Sequence, residues 1–152
     1  QLSQRYWAGQ DLGERAAWRE CTQRRERLIC ADFMVGQFFP GSNSTMRKAL
    51  IGATSDSAHR LYCVSEGRKM VGAVMLSIDE NAIGLYNLCV ARDRRKEGIA
   101  TRLLAGACSL ASDQGVPLVL QCEQHLDAWY QRRGFERLGC FEAFALRPPT
   151  EI

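Results

Sequence analysis

Along this 152-residue chain the spacing of apolar residues changes several times, and each change marks an element. From Asp11 to about Phe39 the spacing is helical, with Leu28, Ala31, Val35 and Phe38/Phe39 recurring every three to four residues. The first half of that stretch, residues 14–27, mixes both signs of charge and reads as a solvated helical face. Pro40-Gly41-Ser42-Asn43-Ser44 breaks the pattern, and Ser44 is placed to cap a short helix through about Ala53. Two strands follow, residues 60–65 and 70–77, joined by Glu66-Gly67-Arg68-Lys69, where glycine supplies a positive φ. The turn Asp79-Glu80-Asn81 leads to a third strand, residues 84–90.

A second helix begins after Gly98. It places Ile99, Leu103, Leu104, Ala107, Cys108, Leu110 and Ala111 inward, with Gly115 as its C-cap and Pro117 barring continuation. Residues 117–122 are short, apolar and bounded by breakers, as a buried strand is. A short helix over residues 127–133 ends at Gly134, and residues 135–146 read as one or two closing strands. At the N-terminus only residues 4–8 qualify as a strand. This order describes a mixed α/β (α+β) layer structure. No repeat, low-complexity tract or linker divides the chain, so residues 1–152 are expected to form one domain.

Composition narrows the classes. With 46% hydrophobic and 24% charged residues the chain reads as a globular protein. No apolar run approaches the roughly 20 residues that span a bilayer, so no membrane partner is expected. Residues 1–5 contain no signal-peptide core. A net charge of +3 gives no reason to expect nucleic acid as a partner. The seven cysteines (Cys21, Cys30, Cys63, Cys89, Cys108, Cys122 and Cys140) are odd in number and never form Cys-x-x-Cys. Most lie in apolar segments, where a thiol behaves as a small hydrophobe, and this favours a reducing, cytoplasmic location. His59 and His125 have no ligand-like spacing to the cysteines, so no metal site is expected.

The chemistry concentrates at Arg95-Lys96-Glu97-Gly98-Ile99-Ala100, between a strand and a helix. The first turn of a helix has unpaired N–H groups and the positive end of the dipole, which together stabilise an anion. Gly98 and Ala100 lack bulk, so those amides can approach phosphate oxygens closely. The absence of Gly-Lys-Ser/Thr and of Gly-x-Gly-x-x-Gly argues against a P-loop or dinucleotide domain.

Three segments then occur in order: a strand ending Leu88-Cys89-Val90, the run Arg95-x-x-Gly98-x-Ala100 opening a helix, and Tyr130-x-x-x-Gly134-Phe135 after the next strand. In this the chain resembles the GNAT superfamily of N-acetyltransferases. The resemblance covers about half the chain, from Met70 to Phe144. Cys122-Glu123-Gln124-His125-Leu126-Asp127-Ala128-Trp129-Tyr130-Gln131-Arg132-Arg133-Gly134-Phe135 is locally similar to the arylalkylamine branch. The resemblance implies a central mixed, mostly antiparallel sheet with helices on both faces, and acetyl-CoA as co-substrate. The amides of Lys96, Glu97, Gly98, Ile99, Ala100 and Thr101, in the loop opened by Arg95, would hold the pyrophosphate. Leu88, Cys89 and Val90 would present backbone groups to the pantetheine arm, and the Leu88 N–H would polarise the thioester carbonyl. Tyr130 would protonate the departing thiolate, a role that suits a phenol protonated at neutral pH.

Direct transfer to an amine also requires the amine to be neutral. The arylalkylamine branch carries a His-x-His pair on the strand before the phosphate loop, and here those positions are Gly84 and Tyr86. Glu123, Glu80 and His125, or a water chain with no side-chain base, are the replacement candidates, and Glu123 is carried forward beside Tyr130 as a catalytic candidate. Arg92, Arg94, Arg95, Lys96 and Arg102 are candidates for the 3′-phosphate of CoA, and Phe33, Phe38 and Phe39 for an apolar acceptor wall. The expected activity is acetyl transfer from acetyl-CoA to a primary amine of a small molecule or peptide, by a monomer or homodimer. The alternative is a non-catalytic acyl-CoA-binding or regulatory module.

Overall fold

The computed structural model describes residues 2–4 and 18–141, with side chains described for 18–141. The described residues form seven strands: β1 (Leu2–Gln4), β2 (Arg19–Glu20), β3 (Arg60–Glu66), β4 (Lys69–Ile78), β5 (Ile83–Val90), β6 (Leu118–Leu120) and β7 (Phe135–Arg137). Four helices accompany them: α1 (Arg24–Phe38), α2 (Ser44–Ser55), α3 (Ile99–Gln114) and α4 (Asp127–Gln131). The strands make one mixed sheet in the order β2-β3-β4-β5-β6-β1-β7, parallel between β5 and β6 and antiparallel at every other pairing. The expected mixed, mostly antiparallel architecture with helices on both faces is therefore present.

The two faces are built differently. On one, α3 lays Ile99, Leu103, Leu104 and Ala107 over Tyr62, Val64, Val74, Leu76, Ile83 and Leu85. Each such fully buried aliphatic side chain contributes about 1.5–3 kcal/mol. Gly72 sets how closely α3 approaches: a Cβ there would lie 2.6 Å from the Ile99 Cγ2 and 3.0 Å from the Leu103 Cδ1. Trp18 stacks on Tyr62 at 4.2 Å between ring centroids and lies against Gly106 of α3. On the other face, α1 places Cys30 and Met34 against Cys21, Leu61, Cys63, Ala73 and Cys89. The helix α2 packs on α1.

Several sequence boundaries move. Of the helix expected from Asp11, residues 11–17 lie outside the described residues, and Arg19 and Glu20 form β2 instead, pairing with Cys63 and Tyr62 of β3. The ladder continues through Cys21 N–H to Leu61 O at 2.8 Å, and α1 starts only at Arg24. The buried stripe of α1 is Cys30, Ala31, Met34 and Val35. Leu28, Phe38 and Phe39 are exposed, because the stripe facing the sheet excludes Leu28 and the helix ends at Phe38. Asn43, not Ser44, caps α2, its Oδ1 accepting the Met46 N–H at 2.9 Å. Gly115 closes α3 as expected, at φ 67°, with Gly115 N–H to Ser112 O and Val116 N–H to Ala111 O both at 3.0 Å. The N-terminal strand is Leu2–Gln4, set between β6 and β7. Of the proposed strand over residues 4–8, positions 5–8 lie outside the described residues. Of the closing strands, Phe135–Arg137 is observed, and positions 142–146 lie outside them.

Candidate active site

The two halves of β5 have different neighbours. Ile83, Gly84 and Leu85 pair with β4 on one side and with Leu118, Val119 and Leu120 of β6 on the other. From Tyr86 onward no described strand pairs with the β6 side of β5, so its backbone groups there form an open edge. The β4 register also slips at this point: Met75 faces Tyr86 and Ala73 faces Cys89, so Asn87 and Leu88 together oppose Val74. This is a β-bulge, with Asn87 at φ 51°, and such a bulge re-aims the strand beside it. The open edge and the bulge coincide at Leu88, Cys89 and Val90.

The chain then turns directly into the phosphate-loop candidate. Ala91 N–H closes the ladder on Val71 O at 2.9 Å, and a 3-10 turn over Arg92–Arg94 follows. Lys96 takes φ 69° and Gly98 φ 80°, so left-handed residues alternate with ordinary ones into the start of α3. Alternation of this kind makes a concave row of N–H groups suited to an anion. Gly98 is the N-cap of α3 and supplies no side-chain cap, and the first intrahelical bond is Arg102 N–H to Gly98 O at 3.0 Å. The amides of Ile99, Ala100 and Thr101 therefore precede the helical ladder. A Cβ on Gly98 would meet nothing within 4 Å, so the approach to these amides is open.

The surrounding side chains sort themselves by what already holds them. Arg94 is engaged by Glu66 and by Glu97, so it is not available to the 3′-phosphate for which it was a candidate. The same pairing holds the Glu97 carboxyl below its usual range, so Arg94 offsets the charge of Glu97, while Lys69 pairs with Asp93. Arg95 donates to Val90 O at 3.4 Å. Arg133, at the end of α4, was not singled out in the sequence. Its guanidinium lies 3.7 Å over the Trp129 ring and donates to Trp129 O at 2.9 Å and to Thr101 Oγ1 at 3.2 Å. It thereby ties α4 to the first turn of α3.

Tyr130 sits on α4, edge-on to Trp129 and Phe135, and is only 5% exposed. Burial is the largest influence on its phenol, pushed up to about 12, so it is fully protonated at neutral pH. Cys89 is likewise pushed up to about 12 by burial, which makes it a packing thiol and not a nucleophile. Glu123 and His125 follow β6 and form one exposed pair, with Nδ1 3.2 Å from Oε2. Glu80 lies in the β4–β5 turn, at the opposite end of β5 from Val90.

Gly84 and Tyr86 form one unit. Both lie on the α1 side of the sheet, and a Cβ on Gly84 would be 2.7 Å from the Tyr86 ring and 3.1 Å from its hydroxyl. The half-exposed Tyr86 ring lies 6.2 Å from the ring of His59, which precedes β3. Arg27 of α1 holds that segment by donating to the carbonyls of Ser55 and Ser57, both at 2.7 Å, and of His59 at 3.1 Å. Sequence reading missed His59 and Arg27 because each lies more than 20 positions before β5. Only the pairing of β3, β4 and β5 reveals their place. Among the described residues no group of His, Cys, Asp and Glu is placed to hold a metal, and no helix is long and apolar enough to cross a membrane.

Several solved structures share the fold of this chain. One is the aminoglycoside N-acetyltransferase AAC(6')-Iy in complex with a CoA-containing bisubstrate analogue (TM-score 0.67, 15% identity, covering 89% of this chain and 100% of that one). An acetyltransferase of Trypanosoma brucei matches with TM-score 0.66 and 13% identity over 87% of this chain and 100% of that one. Glucosamine-6-phosphate N-acetyltransferase of Arabidopsis thaliana matches with TM-score 0.64 and 13% identity over 88% and 100%. No curated protein sequence matches the chain. The acetyltransferase (GNAT) domain family matches residues 57–137, just over half of the sequence, a span running from His59 through the bulge, the glycine-capped loop and Tyr130 to the end of β7. On that match, carried by the same elements that build the site, the chain belongs to the GNAT acetyltransferase domain family.

Proposed function

We propose that this protein transfers an acetyl group from acetyl-CoA directly to a primary amine of a small molecule or peptide. The observation that carries the reading is the divergence of β5 and β6 after Leu85 and Leu120 at the bulge, immediately before the uncapped helix start. An extended pantetheine arm would pair with the open edge at Leu88, Cys89 and Val90 as an added strand. Its pyrophosphate would rest on the amides of Lys96, Glu97, Gly98, Ile99, Ala100 and Thr101, with Arg95 beside them. The Leu88 N–H would then face the thioester carbonyl and stabilise the oxyanion. CoA and a CoA analogue in the AAC(6')-Iy structures support the same donor here.

Tyr130 supplies the proton for the departing thiolate. The phenol is protonated at neutral pH and so can donate to a thiolate forming beside it. Glu123, the sequence candidate for the amine's proton, lies in an exposed pair with His125 just after β6. The arylalkylamine branch is supported by the run from Cys122 to Phe135, while Gly84 and Tyr86 depart from it.

The test is an acetyl-transfer screen over aminoglycosides, polyamines, amino acids, arylalkylamines and peptides, read by product mass. Mass is preferable to a thiol-reactive dye because Cys140 is exposed and would itself react. The expected result is an amine that gains one acetyl group with release of free CoA. Binding of acetyl-CoA with no acetylated product from any class would favour the non-catalytic module.

A further inference from the structure

Resting on that reading, we infer that His59, and not Glu123, takes the proton from the acceptor amine, with Tyr86 beside it at the acceptor seat. Three independent features converge on the α1 side of β5. Gly84 leaves empty the space that any side chain would fill, and the Tyr86 ring folds back into it. Ser77 of β4 pairs with Gly84, so the residue between His59 and Tyr86 on that face is also small. The imidazole can then reach across β4 to within 6.2 Å of the phenol ring, at a tilt of 32°.

The place of this pair relative to the donor follows from register. Tyr86 is two residues before Leu88, at the point where β6 departs and the bulge begins. On that side the register sets His59 opposite Ser77 and Gly84, four residues before Leu88, so a proton from the amine reaches it through the Tyr86 hydroxyl that lies between. Glu123, by contrast, follows β6, is 82% exposed and is paired with His125. Imidazole is the side chain best matched to accepting a proton near neutral pH, and a phenol beside it can both accept and donate a hydrogen bond.

Arg27 is the positioning residue. Its guanidinium donates to three carbonyls of the segment that follows α2, the last of them that of His59 itself. A cation at a helix C-terminus is favourably placed against the dipole, and four charge-assisted bonds to the three carbonyls hold His59 in register. Arg27 reaches this segment from α1, at the His59 carbonyl. The neighbouring Arg60 is engaged elsewhere, with Glu20 and over the Tyr62 ring.

The proton inventory closes. The ammonium gives one proton to His59, and the freed lone pair forms the N–C bond to the thioester carbonyl carbon. The C–S bond breaks, and its electron pair leaves on sulfur, which takes the proton of Tyr130. The second proton shed by nitrogen as the amide forms restores Tyr130, and His59 passes its own proton to water.

The test uses the best amine from the screen. His59→Ala and His59→Gln are expected to lower kcat on the order of 10²-fold. The KM for acetyl-CoA and the melting-temperature gain on adding it should be retained. Added imidazole is expected to restore turnover to His59→Ala, a rescue that a purely structural role would not permit. Gly84→Ala, which displaces the Tyr86 ring, is expected to cost on the order of 10-fold in turnover. Full turnover in both His59 variants, loss that imidazole does not restore, or turnover kept by His59→Gln but lost in Glu123→Gln would overturn the assignment. Failure of the underlying reading is distinct: wild-type protein would then acetylate no amine at all.

Discussion

The donor end and the acceptor end of the site are made of different material. At the donor end we propose, the groups are main-chain amides, set by one bulge, by the left-handed residues Asn87, Lys96 and Gly98, and by the uncapped first turn of α3. Charged side chains there largely neutralise one another, as Arg94 does with Glu66 and Glu97. At the acceptor end we propose, the groups are side chains from separate elements: His59 before β3, Tyr86 on β5, and Arg27 on α1, which donates to the His59 carbonyl. A backbone site recognises what every CoA thioester shares, and a side-chain site is free to change its acceptor. The fold itself is shared with structures only 13–15% identical to this chain.

The comparison is broken most severely by blocking the backbone site. Gly98→Trp places a bulky side chain on a residue at φ 80° that opens toward the free amides. It is expected to abolish the melting-temperature gain produced by acetyl-CoA, and a retained gain would remove the phosphate assignment. Tyr130→Phe should leave that gain intact while lowering kcat on the order of 10²-fold, as loss of a positioned acid does. Steady-state kinetics with unaltered kcat would take Tyr130 out of the mechanism.

A smaller effect tests the frame between the two ends. Gly72→Ala forces the Ile99 side chain off β4 at the root of α3. It is expected to cost about 1–3 kcal/mol in denaturant unfolding, the usual cost of overpacking. The smallest effect is on alkaline stability. The folded-state pKa values of Tyr130 and Cys89 are raised, from 10.0 and 9.0 respectively to about 12. Below pH 9 both groups are neutral in either state and their contribution is fully present; between pH 9 and about 12 the unfolded chain ionises first and the contribution is lost. Thermal melts followed upward in pH should therefore hold level to pH 9 and then decline, and Tyr130→Phe should soften the decline.

What the sequence made legible follows the same division. The donor loop is contiguous, so Arg95 to Thr101 stood out by residue type and spacing, and Gly98 and Gly115 marked the start and end of α3. The meander from β3 to β5 was visible from its alternation and its turn at Gly67. Residues 19–20 were absorbed into a helix because their pairing with Tyr62 and Cys63 spans more than 40 positions. Their local pattern contains no trace of that partner. The Asn87 bulge was equally silent, since it exists only as a mismatch of register with β4. Gly84 and Tyr86 looked like two losses in sequence; their contact makes them one replacement, coupled to a histidine that no spacing rule connects to them.

Hydrogen exchange of the intact protein with and without acetyl-CoA tests the central claim most directly, because the claim concerns backbone amides. The account predicts slowed exchange at residues 86–90 and 96–101 on adding acetyl-CoA. The segment from Ser57 to Arg60 should stay unchanged until the amine product or a bisubstrate analogue is supplied. Slowed exchange confined to other segments, with residues 86–90 and 96–101 unaffected, would contradict it.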